Sequence, residues 1–196
     1  FLKSMQIELK NIIDIISRYA LANPEIFFRL VHNDKVSVNS PGTSDTLANI
    51  TSIYGRELAK ELLSLNYSNG DIELMGFISK PSYTRSDKQH QSFFVNNRYI
   101  KNDIITSALH DAYQTMLMTE RYPVAILDVK INPNKIDVNV HPTKDIIRIE
   151  QQKDLYTAVF ESVRDTLEKN NLIPQVSEKE INQIFVNNVE KLKQAS

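Results

Sequence analysis

Residues 92–140 read SFFVNNRYIKNDIITSALHDAYQTMLMTERYPVAILDVKINPNKIDVNV, and this stretch decides the fold. Ser92 to Val95 are strand formers running into a polar turn. Asn102 or Asp103 then caps a helix whose apolar stripe, Ile105, Ala108, Leu109, Ala112 and Met116, recurs at three- and four-residue steps. Val124 to Ile131 is a second strand and Asn132-Pro133-Asn134 a turn. Ile136, Val138 and Val140 alternate as a third strand, and Ile146 to Ile149 add a short one. Strand, helix and strand in this order form a β-α-β unit.

Upstream the elements are mixed. Leu9, Ile12, Ile13, Ile16, Tyr19 and Ala20 mark one buried helix face, stopped by Pro24 because the residue before proline leaves the helical region. Ile26 to Val31 and Val36 to Val38, joined at Asn33-Asp34, read as a hairpin. A short helix over Leu47 to Tyr54 ends at Gly55, and Arg56 to Leu63 continues as another. A second hairpin turns at Asn69-Gly70, with Ile72, Leu74, Gly76 and Ile78 on one face of its return strand. Pro81 to Gln89 is polar and reads as a loop. Downstream, a helix from Lys153 to Leu167 buries Leu155, Val159, Val163 and Leu167. Strands, helices and then a β-α-β unit give an α+β class with one mixed sheet.

Composition removes several kinds of function. Of 196 residues 41% are apolar, enough for a core, and the net charge of −1 gives no global attraction to polyanions. There is no cysteine, so disulfides, thiolate zinc sites and cysteine nucleophiles are excluded. The four glycines, Gly42, Gly55, Gly70 and Gly76, have no P-loop or dinucleotide spacing. His32, His90, His110 and His141 are scattered and suggest no metal site. No apolar run approaches the ~20 residues of a membrane helix. The chain alone is expected to perform no chemistry. Because it opens Phe1-Leu2-Lys3 on a patterned segment, it reads as part of a longer protein.

Two segments carry what chemistry there is. Residues 94–100, FVNNRYI, take a strand into two asparagines that tolerate left-handed backbone, then present Arg98 and Lys101. From Lys80 to Asp103 the bases Lys80, Arg85, Lys88, Arg98 and Lys101 outnumber the acids Asp87 and Asp103. A solvated loop and a phosphate-contacting patch both fit that balance. Residues 138–144, VNVHPTK, end a strand abruptly at His141-Pro142 and set Lys144 on a short, stiff exit, as anion capture requires.

In this order, FVNNR and IDVNVHPTK (136–144) resemble the MutL family of DNA mismatch repair ATPases. The family usually reads FVNGR and VDVNVHPxK, so Asn97 stands where glycine is usual, and Asp103 where some relatives carry a base. The resemblance covers most of the chain. It implies a transducer-type fold, a mixed sheet with helices mainly on one face and a left-handed β-α-β crossover, against the general preference. It also implies boundaries: residues 1–24 a connecting helix from a GHKL-type ATP-binding domain, 25–170 the transducer domain, and 171–196 a C-terminal helix or linker.

Carried over by position, Lys144 would reach the terminal phosphate of ATP held with Mg2+ in the neighbouring domain. Arg98, with Lys101, Arg85 and Lys88, would contact DNA. The implied partners are non-specific DNA, the ATP-binding domain, a homo- or heterodimer partner and the mismatch recognition protein MutS, with no membrane. The full-length protein would be a weak ATPase, cytoplasmic and nucleoid-associated if bacterial, nuclear if eukaryotic. A type II topoisomerase transducer is the alternative of shared architecture, although VNVHPTK differs from its usual lysine motif. A small-molecule kinase of related fold would need a glycine-rich loop.

Overall fold

The computed structural model describes residues 5–137 and 147–170; the lysine at 144, the strand predicted through Val138 and Val140, and the tail from 171 lie outside them. A five-stranded mixed sheet forms the centre. Its strands are β3 (Leu62–Ser68), β4 (Ile72–Ser79), β6 (Gln91–Val95), β7 (Arg98–Ile100) and β9 (Ala125–Ile131), in the spatial order β3-β4-β9-β6-β7. Among the described strands only β6 and β9 pair in parallel, Phe93 opposite Leu127, and α4 (Asp103–Ala112) makes the crossover between them. The predicted β-α-β unit is thus the sheet's middle. Every residue of β6 is buried, as a central strand covered on both faces requires.

One face of this sheet is packed by α4 and by α5 (Gln152–Lys169). Ile105, Ala108, Leu109 and Ala112 of α4 meet Leu155, Val159, Val163 and Leu167 of α5 over Ile72, Leu74, Ile78, Leu127 and Val129. Both helical stripes and the β4 alternation are buried as their periodicities predict. Asn102 caps α4, accepting from the Ile104 and Ile105 amides at 3.0 Å each. The helix stops earlier than the stripe suggested: Tyr113 turns inward, and its buried hydroxyl donates to the Ser79 carbonyl. Burial pushes that phenol's pKa up.

The described residues cover the opposite face only in part. Leu21 and Ala22 at the end of α1 (Met5–Ala22), Ile50 of α2 (Thr46–Tyr54) and Leu58 of α3 (Arg56–Lys60) pack on Phe94, Val124 and Ile126. The helices therefore lie mainly, not wholly, on one face. Leu62 and Leu63, expected to close a helix after Arg56, begin β3 instead. Their cross-strand partners Ser79 and Ile78 outweigh local helix propensity. Thr84 and Arg85, expected in loop, form a two-residue strand β5 against β8 (Tyr122–Pro123).

The largest departure from the sequence reading concerns α1. Ser17, Ala20, Leu21 and Ala22 are buried, but Ile12 and Tyr19, assigned to the buried stripe, are 46% and 58% exposed. Met5 and Ile15 on the same side are exposed too. The hairpin of β1 (Phe27–His32) and β2 (Lys35–Pro41) forms its own two-stranded sheet and leaves Phe27, Val31 and Val36 exposed. Asn49, fully buried, ties this hairpin to α1 and α2. It accepts from Ser40 Oγ at 2.9 Å and donates to the Pro24 carbonyl at 2.8 Å.

Candidate functional site

The turn between β6 and β7 consists of Asn96 and Asn97 alone, with φ of 49° and 65°. Two consecutive left-handed residues make the tight hairpin turn whose twist matches the strands, so asparagine meets the backbone demand that glycine meets elsewhere. Asn96 extends the sheet. Its backbone N–H donates to the Val129 carbonyl at 2.9 Å, its side-chain Nδ2 donates to the Ile131 carbonyl at 2.9 Å, and its Oδ1 accepts from the Ile131 N–H at 3.1 Å. The turn is therefore locked to the end of β9, where the chain enters Asn132–Lys135.

That lock brings the two sequence segments together. Arg98, exposed on the turn, shares a cleft of about 370 Å3 with Val95, Asn96, Pro133, Ile136 and Ile147. Ile136 belongs to β10 (Ile136–Asp137), which pairs with β11 (Arg148–Ile149). The two ends of the 138–146 segment are thus held beside Arg98, although 38 positions separate Arg98 from Ile136 (136 − 98). Lys144 itself lies outside the described residues.

The basic residues do not form one cluster. Arg98 sits where β6 ends, opposite Val95, whereas Lys88 precedes the start of β6 and its carbonyl accepts from Gln91 N–H at 3.0 Å. Lys101 follows Ile100, which pairs with Phe93. At ~3.3 Å per residue, β6 separates Arg98 from Lys88 by about 15 Å. Arg85 and Lys88 instead gather at the β5–β8 ladder. Arg85 pairs with Tyr122, and the Lys88 ammonium lies 5.2 Å from the Tyr122 ring centroid. Arg121, which the sequence did not single out, fixes this ladder by donating from Nε to Thr84 Oγ1 at 2.9 Å and from Nη2 to the Thr84 carbonyl at 2.7 Å. Only the pairing of β5 with β8 could have revealed it, and neither strand has a periodic signal.

Two histidines flank this second cluster. The His110 ring stands 5.1 Å from Tyr122, and the His90 ring 5.1 Å from Tyr54. Burial lowers both pKa values, reinforced by Arg85 at His90 and by Lys88 at His110. Neutral imidazole is thus favoured in the folded state, and the unfolded chain binds more protons in the window below the ordinary imidazole value. Stability should be full above about pH 6.5 and fall as pH drops below it. Replacing both histidines by asparagine should flatten that decline in urea titrations between pH 7 and 5. An undiminished decline would assign it to carboxylates.

Among the described residues no group of three or more histidines and carboxylates is placed to hold a metal, and no helix is long and apolar enough to cross a membrane.

Residues 50–168 match the family model described as DNA mismatch repair protein, C-terminal domain. The chain is 40% identical over 194 residues to the DNA mismatch repair protein MutL of Streptococcus pneumoniae, covering 99% of this chain and 30% of that protein. It is 38% identical over 177 residues to MutL of Halalkalibacterium halodurans, covering 90% and 28%. The chain thus spans about 30% of the length of these curated relatives. A crystal structure of the N-terminal domain of a DNA repair protein superposes with a TM-score of 0.72 at 21% identity, over 86% of this chain and 56% of that one. The Aquifex aeolicus MutL ATPase domain complexed with ADP gives 0.52 at 21% identity, over 68% and 46%. At those identities the structural likeness speaks for the fold. Sequence identity along nearly the whole chain, with the family match over most of its described core, establishes that the chain belongs to the MutL family of DNA mismatch repair proteins.

Proposed function

We propose that this chain is the transducer part of a MutL-type GHKL ATPase, coupling ATP bound in a neighbouring domain to dimerisation and to binding of DNA. The observation that supports this best is the meeting of the two sequence segments. The Asn96-Asn97 turn carrying Arg98 is fastened to the end of β9, beside both ends of the segment containing Lys144. Lys144 would contact the terminal phosphate, and Mg2+ would accompany the nucleotide in the neighbouring domain. Loss of the phosphate contact on hydrolysis would release the domains, a ligand-biased two-state switch. Identity of 38–40% to mismatch repair proteins favours this reading over a topoisomerase transducer or a kinase. Since these relatives are bacterial, we place the protein in the cytoplasm, with MutS and a second subunit as partners.

The neighbouring domain has a surface to meet. Met5, Ile12, Ile15 and Tyr19 on α1 are exposed, and so are Phe27, Val31 and Val36 on the hairpin. Apolar exposure of this kind suits a surface that meets another domain. We propose residues 1–24 as the connecting helix from the ATP-binding domain and 25–170 as the transducer, a boundary supported by Asn49 of α2, which holds the hairpin through Ser40.

DNA would be met by Arg98 and Lys101 on the β6–β7 hairpin and by Arg85 and Lys88 at the β5–β8 ladder. About 15 Å between Arg98 and Lys88 corresponds to four or five base pairs at ~3.4 Å rise. Binding should be weak and sequence-independent, with a log–log salt slope of about −3 for three neutralised phosphates. Arg98→Glu with Lys101→Glu in the full-length protein should flatten the slope, as read by fluorescence anisotropy on duplex DNA over a salt series. An unchanged slope would return the β6–β7 hairpin to an ordinary solvated turn.

A further inference from the structure

The amide of Asn97 does something its backbone conformation does not require. Helix α1 ends at Ala22, whose carbonyl is one of the four that a helix leaves without an internal partner. Asn97 Nδ2 donates to that carbonyl at 3.0 Å, from 75 residues away in sequence. Its Oδ1 at the same time accepts from the Lys130 ammonium, which also pairs with Asp128 at 2.9 Å. An asparagine side chain has one donor group and one acceptor group, and here both are used. Lys130 thereby brings a cation toward the negative end of the helix dipole.

The next turn of α1 is held by the same hairpin. The Arg18 guanidinium lies 4.1 Å from the Tyr99 ring centroid and pairs with Asp14 at 2.7 Å. So α1 is gripped on one side by β7 and the Asn97 turn, while its opposite side, with Met5, Ile12, Ile15 and Tyr19, is open. Lys130 and Asp128 lie on β9, which ends at Ile131, and the chain then turns through Asn132–Lys135 into β10 and on in sequence to residues 138–146. A continuous set of polar contacts therefore runs from the end of α1, through one side chain, to the strand that leads toward Lys144.

We propose that Asn97 is a positioning residue that fastens the C-terminal end of α1 to β9, so that a displacement of α1 is carried into the strand leading to Lys144. Glycine at this position would accept the left-handed backbone but make neither bond, and aspartate would hold Lys130 but set a carboxylate against the Ala22 carbonyl. The role rests on the coupling reading above, because without a nucleotide in the neighbouring domain there is nothing to transmit.

The test uses the full-length protein and the variants Asn97→Gly and Asn97→Asp. Amide exchange over residues 19–26 should quicken about 5-fold in Asn97→Gly, the effect of losing a typical hydrogen bond. It should quicken at least as much in Asn97→Asp, with the β3–β4 hairpin unchanged in both. In the same proteins kcat for ATP turnover should fall about 5-fold while KM for ATP stays constant, a split that lost packing alone would not produce. Wild-type exchange over residues 19–26 in Asn97→Gly would overturn the fastening. Faster exchange with wild-type kcat would reduce Asn97 to a structural cap and overturn its positioning role. The two readings fail separately, because Lys144→Ala is read in turnover and should leave exchange over residues 19–26 at the wild-type rate.

Discussion

Lys144→Ala in the full-length protein should lower ATP turnover by about 10²–10³-fold, the usual consequence of removing one fixed charge from a developing phosphate transition state, or about 3–4 kcal/mol. Nucleotide affinity should fall much less, because the adenine and inner phosphates would be held by the neighbouring domain. The melting temperature should stay at the wild-type value if the lysine acts through the phosphate alone. Lys144→Arg should restore turnover only in part, since a planar fork cannot take the place of a compact ammonium. The flanks already fit such a role: Ile136 and Ile149 are paired across β10 and β11, and Ile136 and Ile147 lie beside the fixed Asn96-Asn97 turn. Turnover, affinity and melting measured on the three proteins decide it. Wild-type turnover in Lys144→Ala would end the phosphate-sensing assignment, and a large melting loss would make the lysine structural.

Gly76→Ala should be among the most damaging single substitutions in the sheet. Gly76 has φ of 156° and pairs with Leu65 on one side and Leu127 on the other. A Cβ there would run into the Ile126 carbonyl oxygen and sit 3.0 Å from Leu127 Cα, both of them backbone atoms that cannot turn aside. Backbone strain of about 1–3 kcal/mol adds to about 1–3 kcal/mol of overpacking, for a loss of roughly 2–6 kcal/mol. Gly70→Ala is the control. Gly70 has φ of 88°, yet nothing lies within 4 Å of its added Cβ, so only the strain of about 1–2 kcal/mol applies. Urea midpoints at constant m-value give both losses. Equal losses at the two glycines would show that strain alone, not the contact with β9, requires glycine at 76.

The contrast between these two glycines also marks how far the sequence could be read. Asn69-Gly70 announces its turn through local chemistry, and the structure places a turn there, with Asn69 Oδ1 accepting from the Ile72 N–H at 2.9 Å. Gly76 reads merely as one apolar-face position in a strand, because the carbonyl that forbids a side chain belongs to residue 126, fifty positions away (126 − 76).

The sequence by itself determined the elements whose signal is local and repeated. The stripes of α4 and α5, the alternation in β4, the β-α-β order and the left-handed Asn-Asn turn all follow from periodicity or from the conformational range of single residues. Its short FVNNR and VNVHPTK strings were enough to point to the family. Only the tertiary structure decided which apolar residues find a partner. Ile12 and Ala20 belong to the same helical pattern, yet one is exposed and the other buried, because periodicity tells that a face is apolar and not what covers it. It also decided that Arg98 stands apart from Arg85 and Lys88, and that Arg121 and Asn97 hold their neighbours in place. Those facts rest on contacts between residues 33 to 75 positions apart, made only when the strands take their register, and a reading along the chain contains no term for them.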